Sequence, residues 1–102
     1  MLTSLRNKAV IVTGGTRGIG KGIALVFAQL GARVCVMDRN APDGVATVEA
    51  LRGRGGTALF CRGDVTVPSE MAAVVATAAA AFGGVDILCA NADIFPRLHW
   101  KR

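Results

Sequence analysis

Short apolar segments alternate along the chain with longer segments in which apolar residues recur at helical spacing. Four of the apolar segments predict strands, over residues 8–12, 32–37, 57–61 and 85–90. Nearly uninterrupted apolar runs of this length are typical of strands that are buried on both faces of a parallel sheet. The pattern therefore predicts an α/β protein.

The segments between these strands predict three helices. In the first, five apolar residues are expected to face the sheet: Ile19, Ile23, Val26, Phe27 and Leu30. A loop and a second helix are expected over residues 41–56, with Val45, Val48 and Leu51 as the apolar face. A third helix is expected over residues 68–84, where Glu70 complements the helix dipole in the first turn.

Strands that alternate with helices imply a parallel sheet with right-handed crossovers. We expect a partial Rossmann fold, a four-stranded parallel sheet in the order 3-2-1-4 with flanking helices. A ligand is then expected beyond the carboxyl ends of the strands, where the first and fourth strands diverge. The 102 residues fit one domain, in which residues 97–102 form a tail of atypical composition.

Charge and hydropathy exclude several classes of protein. The net charge of +5 comes from basic residues scattered along the chain, without the basic helix or the aromatic residues typical of nucleic-acid binding. No apolar run approaches the roughly 18 residues of a membrane span. The N-terminus has no long apolar stretch before a cleavage site. We therefore expect a cytoplasmic protein that binds neither nucleic acid nor membrane.

The three cysteines predict neither a metal site nor a disulfide. Cys35, Cys61 and Cys89 lie 26 and 28 residues apart, which matches no metal-ligand spacing. Each lies in an apolar run that predicts a strand. We expect three small, buried thiols.

A glycine-rich turn joins the first predicted strand to the first helix. Residues 12–20 read VTGGTRGIG. Glycine lets the backbone approach a pyrophosphate closely, and a helix N-terminus supplies free N–H groups and a positive dipole. A tight connection between strand and helix is the alternative explanation.

An acidic residue follows at the end of the second predicted strand. Asp38 lies 18 residues after Gly20, close to the spacing expected for the acid that binds the adenosine ribose. Its carboxylate can accept both ribose hydroxyls and would repel a 2′-phosphate, which favours NAD. Arg39, or Arg17 in the glycine turn, could instead clamp a phosphate, so NADP stays the alternative. Asp38 could also simply begin a loop.

With these motifs in order, the chain resembles the N-terminal part of a short-chain dehydrogenase/reductase. That family's TGxxxGxG motif matches Thr13 to Gly20, and its Asp-Val pair after the third strand matches Asp64-Val65. The resemblance implies that Asp64 contacts the adenine amino group. It implies these cofactor-binding residues: Gly14, Thr16, Arg17, Gly18, Ile19, Gly20, Asp38, Arg39, Asp64, Val65, Asn91 and Ala92.

The chain departs from the family pattern after the fourth strand. Ala90 and Asp93 stand where the family has Asn and Gly, and the charge of Asp93 is expected to weaken pyrophosphate binding. The resemblance implies hydride transfer between a nicotinamide and a carbonyl or alcohol carbon, with Ser, Tyr and Lys as the catalytic residues. The chain has no tyrosine. We therefore expect no catalytic residue and no metal ligand within it.

Three hypotheses remain open from the sequence. The first is a truncated NAD(P)-binding Rossmann domain over residues 1–102, catalytically incomplete. The second is a part of a complete oxidoreductase. The third is a non-enzymatic dinucleotide-binding or interaction module. An exposed edge on the fourth strand predicts self-association through that strand.

Overall fold

One parallel sheet forms the centre of the protein. The structure is a computed structural model, and it describes residues 5–14 and 18–90. The elements in chain order are β1 (Ala9–Thr13), α1 (Gly18–Gln29), β2 (Arg33–Asp38), α2 (Ala41–Gly53), β3 (Thr57–Arg62), α3 (Pro68–Phe82) and β4 (Ile87–Cys89). The strands lie in the order β3-β2-β1-β4, and each pairing is parallel. The predicted fold class and strand order are confirmed.

The two faces of the sheet bury two separate apolar clusters. Val10, Val12, Val34 and Val36 point to the face that α1 and α2 cover. On the opposite face, Ala9, Ile11, Cys35 and Met37 pack against α3. All five residues of β1 are buried as a result. This two-sided burial explains why the central strands are uninterrupted apolar runs.

The apolar face predicted for α1 is only partly correct. Ile23 and Phe27 pack against the core, but Ile19 is 76% exposed and Val26 is 53% exposed. The buried residues of α1 are the small Gly20 and Ala24. At 3.6 residues per turn, Ile19 and Val26 lie on the far side of the helix from Ala24. The helix therefore packs closely on the sheet through small side chains.

Helices α2 and α3 also differ from the prediction: α2 in its buried face, and both in the residue at which they end. In α2 the buried stripe consists of Gly44, Thr47, Val48 and Leu51, whereas Val45 is half-exposed, contrary to the prediction. The helix ends at Gly53, before the predicted limit of 56. Helix α3 ends at Phe82, two residues early, because Gly83 adopts the left-handed conformation with φ +84°.

Strand β4 begins later than predicted because the side chain of Asp86 takes the place of a backbone acceptor in the pairing with β1. The N–H of Asp86 donates to the carbonyl of Ala9 at 2.9 Å. The Asp86 carboxylate in turn accepts the N–H of Ala9 at 2.8 Å. The strand proper therefore begins only at Ile87.

The prediction of three buried thiols is correct for one of them. Cys35 is buried, whereas Cys61 and Cys89 are half-buried, and all three are free. Burial, reinforced by the neighbouring Cys61, raises the pKa of the Cys35 thiol. Cys35 therefore stays protonated at neutral pH and behaves as a core residue.

Two further findings concern the described residues only. None of their helices is long and apolar enough to cross a membrane. Over residues 5–14 and 18–90, no group of three or more His, Cys, Asp or Glu side chains could hold a metal ion.

Candidate nucleotide-binding site

The exits of three strands lie side by side at the carboxyl edge of the sheet. The N–H of Gly14, just after β1, donates to the carbonyl of Met37 in β2 at 2.8 Å. The N–H of Gly63, just after β3, donates to the carbonyl of Asp38 at 3.0 Å. These bonds hold the glycine turn, the end of β2 and the β3–α3 loop together. The structure thus brings Gly14, Asp38 and Asp64 to one edge of the sheet, although they are far apart in the sequence.

The start of α1 has the backbone that a close approach by an anion requires. Gly14 and Gly18 adopt left-handed conformations with φ +64° and +52°. Among the residues that the structure describes, no atom lies within 4 Å of a Cβ added at Gly18. The first turn of α1 carries no acidic residue. The first turn of α1 therefore offers N–H groups and the positive end of the helix dipole without an acidic side chain of its own.

The structure describes some of the other predicted cofactor-binding residues and does not describe the rest. Gly20 is buried against the sheet, and Ile19 is exposed. Thr16 and Arg17 lie outside the described residues, as do Asn91, Ala92, Asp93 and the tail over residues 97–102. The expectations that rest on them stay predictions. Ala90, the last described residue, is exposed after β4.

The turn after β2 orients Asp38. Its Oδ1 accepts the N–H of Asn40 at 3.0 Å. Asn40 then caps α2, because its side-chain oxygen accepts the N–H of Asp43 at 3.0 Å. Asp38 lies at the end of its strand, as the sequence predicted, and is half-buried there. The turn places a carboxylate beside the β3–α3 loop.

Asp64 is the centre of a small hydrogen-bond network. Its Oδ1 accepts both the N–H of Thr66 at 2.9 Å and the Thr66 hydroxyl at 2.6 Å. Its Oδ2 lies 3.4 Å from Nη1 of Arg39. The Arg39 side chain is 73% exposed, so this pair spans the two loops at the surface. Val65, the next residue, packs against the apolar cluster that α3 covers and thereby anchors the β3–α3 loop to the core.

These contacts determine the charge state of Asp64. The hydrogen bonds from Thr66, first from its hydroxyl and then from its N–H, lower the pKa of Asp64 below its ordinary value of 3.8, and Arg39 adds to the effect. A carboxylate with a lowered pKa is ionised throughout the neutral range. The site therefore presents an ionised hydrogen-bond acceptor at the end of β3.

Replacing Thr66 with valine should raise the pKa of Asp64 towards its ordinary value of 3.8. Valine removes the hydroxyl donor but keeps the backbone N–H. In the wild type, the stabilisation from the ionised Asp64 is fully present above pH 3.8 and is lost as the pH falls through the lower folded pKa. An NMR titration of the Asp64 carboxyl carbon measures both values. Thr77→Val, on the exposed face of α3, is the control, and an unchanged Asp64 pKa in Thr66→Val would contradict this account.

The sequence missed one participant in this network. Glu70 was expected only to complement the dipole of α3, but its Oε1 accepts the N–H of Asp64 at 2.7 Å. The signal that could have found it is the position of Glu70 at the third residue of the helix, where glutamate commonly reaches back to a backbone N–H.

Comparison with known proteins supports the family resemblance. The family model for short chain dehydrogenase matches residues 8–101. An uncharacterized oxidoreductase of Thermotoga maritima is 40% identical over 93 residues, which are 91% of this chain and 36% of that protein.

Two solved structures are also similar. A hydroxysteroid dehydrogenase from Escherichia coli superposes with a TM-score of 0.84 at 43% identity, over 86% of this chain and 37% of the other. A 7α-hydroxysteroid dehydrogenase complexed with NADH and 7-oxo glycochenodeoxycholic acid gives a TM-score of 0.80 at 42% identity, over 84% of this chain and 34% of the other.

The chain spans about a third of the length of the relatives it matches. The matched region contains all four strands, the glycine turn and the acids after β2 and β3. The chain belongs to the short chain dehydrogenase family, and it spans the nucleotide-binding part of that fold.

Proposed function

We propose that this chain binds a nicotinamide adenine dinucleotide at the carboxyl edge of its sheet. The pyrophosphate would lie at the N-terminus of α1, and the adenosine half would lie over the loops after β2 and β3. The observation that carries the proposal is the hydrogen bonding that joins Gly14 to Met37 and Gly63 to Asp38. These bonds bring Gly14, at the start of the glycine-rich turn, and the acidic residues Asp38 and Asp64 to one edge.

In a complete protein of this family, the bound dinucleotide supplies hydride transfer to or from a carbonyl or alcohol carbon. The similar dehydrogenase in complex with NADH supports this class of cofactor. The 102 residues contain no tyrosine, so we assign them cofactor binding and no catalytic residue. Oxidoreductase activity is proposed for the whole protein, with the proton donor supplied from outside these residues.

Within this site we propose a preference for NAD over NADP. The Asp38 carboxylate ends β2, where it can accept the hydroxyls of the adenosine ribose and would repel a 2′-phosphate. Two arginines could reverse this preference: Arg17 lies outside the described residues, and Nη1 of Arg39 lies 3.4 Å from the Asp64 carboxylate. That ion pair reduces the positive charge that Arg39 offers to a phosphate. The local charge therefore favours a free ribose.

Titration of the chain with NAD⁺ and with NADP⁺ by calorimetry tests both parts of the proposal. We expect the wild type to bind NAD⁺ more tightly. Asp38→Asn should reduce the preference for NAD⁺ about tenfold, because the variant loses a charged acceptor for the ribose hydroxyls. Arg39→Ala, the neighbouring control, should retain the preference. Tighter binding of NADP⁺ that is lost in Arg39→Ala would contradict the assignment.

The alternative of an interaction module draws support from one observation. Among the described residues β4 pairs only with β1, and Leu88 within it is 50% exposed. An apolar strand with an unpaired side is a template for a further strand. Self-association through this edge stays a prediction, as do a cytoplasmic location and the absence of nucleic-acid binding.

A further inference from the structure

A glutamate on α3 holds the backbone of the loop that carries Asp64. Glu70 is half-buried, and its Oε1 accepts the N–H of Asp64 at 2.7 Å. It is the third residue of a helix whose N-cap, Val67, makes no side-chain capping bond. A glutamate at this position usually reaches back to the N-cap N–H. Here it reaches three residues further back and bonds the loop instead.

This bond is one of several that together fix the direction of the Asp64 carboxylate. The carbonyl of Asp64 accepts the N–H of Val67 at 3.0 Å, so both backbone groups of Asp64 are bonded within the loop and first turn of α3. Gly63 is bonded to the end of β2 on the other side. Because this backbone is fixed, the Asp64 side chain is held in the direction in which it contacts Thr66 and Arg39.

Removal of the Glu70 carboxylate leaves the partly buried N–H of Asp64 without its acceptor. A backbone donor that loses its partner turns towards water or another acceptor, because leaving it unsatisfied is costly. That rotation of the peptide would change the direction of the Asp64 side chain. Helix α3 and the sheet do not depend on the same bond, since Val74, Ala78 and Phe82 anchor the helix to the core.

We propose that Glu70 is a positioning residue of the nucleotide site: it aims the Asp64 carboxylate at the adenine amino group without touching the cofactor. This inference rests on the proposed dinucleotide binding. It makes Glu70 a determinant of discrimination between adenine and hypoxanthine. A correctly aimed acceptor can bind the amino group of adenine but not the oxygen that replaces this group in hypoxanthine. Discrimination between purines is a property that a purely structural glutamate would leave unchanged.

The test compares NAD⁺ with its hypoxanthine analogue, which lacks the adenine amino group. We expect the wild type to prefer NAD⁺. In Glu70→Ala the affinity for NAD⁺ should fall about tenfold, while binding of the analogue changes little, so the preference is lost. Glu70→Gln retains an oxygen that can accept the Asp64 N–H and should restore the preference. Glu49→Ala, at an exposed glutamate of α2, is the matched control and should behave as the wild type.

A further variant keeps the test decisive if Glu70→Ala does not fold. Glu70→Asp retains the negative charge at the start of α3 but withdraws the carboxylate by one methylene, and it should lose the preference in the same way. Equal weakening of both dinucleotides, with an unchanged preference, would overturn the positioning role alone. Failure of the wild type to bind either dinucleotide would overturn the proposed function on which the inference rests.

Discussion

Replacing Gly44 with alanine is expected to lower the free energy of unfolding by about 2 kcal/mol, although alanine is the better helix former. Gly44 is buried in α2 against β3. A Cβ built on it would lie 2.5 Å from Cζ of Phe60 and closer still to Cε1 and Cδ1 of the same ring. The ring must therefore leave its position, or the helix must move away from the sheet. Both responses reduce the packing of α2 on the core.

The clash also bears on the site, because α2 begins directly after the loop of Asp38. The N–H of Gly44 donates to the carbonyl of Asn40 at 3.0 Å, and the N–H of Asn40 donates to Asp38. A displaced helix would pull on both bonds. A loss of stability in this variant should therefore be accompanied by weaker dinucleotide binding.

Chemical denaturation followed by circular dichroism measures the effect. Gly22→Ala in α1 is the control, since outside the backbone of its own helix no described atom lies within 4 Å of a Cβ built there, and it should be neutral or stabilising by up to about 1 kcal/mol. A double-mutant cycle with Phe60→Leu identifies the cause. The cost of Gly44→Ala should shrink when the ring is absent. The same cost in both backgrounds would show that the contact with Phe60 is not responsible.

The sheet could be predicted from the sequence because its central strands are buried on both faces. In the run over residues 8–12, the four residues after Lys8 are all apolar, so the run has no alternation of polar and apolar positions. Strand order followed from the alternation of strands with helices, which permits few topologies. Strand β4 was predicted too long because the sequence does not reveal that the Asp86 side chain replaces a backbone acceptor of the ladder.

The helix faces could not be predicted equally well, because the prediction looked for large apolar side chains. Helix α1 packs through Gly20 and Ala24, and α2 through Gly44 and Thr47, so the closest contacts involve the smallest residues. Ile19 then remains exposed beside the site. Periodicity records where apolar residues recur, but the distance between helix and sheet decides which of them are buried.

The positions of Gly14, Asp38 and Asp64 at one edge of the sheet were predictable, but the hydrogen bonds among their loops were not. Asp38 ends β2, Gly14 and Asp64 follow β1 and β3, and the carboxyl ends of parallel strands share one edge. The bonds from Arg39 and Glu70 to Asp64 join residues of different loops and a helix. Their formation depends on the angle at which each loop leaves the sheet, which no local pattern encodes.

Gly18→Ala is expected to weaken dinucleotide binding about 100-fold while the protein stays folded. The φ of +52° at Gly18 lies in the left-handed region, where alanine costs roughly 1–2 kcal/mol. No atom of residues 5–14 and 18–90 lies within 4 Å of the added methyl group, so we expect the free protein to accommodate it. The methyl group would instead occupy the space through which a pyrophosphate reaches the N–H groups of α1. Loss of two charge-assisted hydrogen bonds between these N–H groups and the pyrophosphate would lower the affinity by about two orders of magnitude.

Gly55→Ala is the matched control for the backbone strain. Gly55 also has a positive φ, +86°, and no atom of the described part of the chain lies within 4 Å of an added Cβ, but Gly55 follows α2, away from the carboxyl edge of the sheet. Both variants should lose similar stability in thermal denaturation, and only Gly18→Ala should lose affinity for NAD⁺ in calorimetry. Equal affinities of the two variants would place the pyrophosphate away from α1. Backbone strain is common to Gly18→Ala and Gly55→Ala. If only Gly18→Ala loses affinity, the loss therefore comes from steric exclusion of the ligand and not from strain.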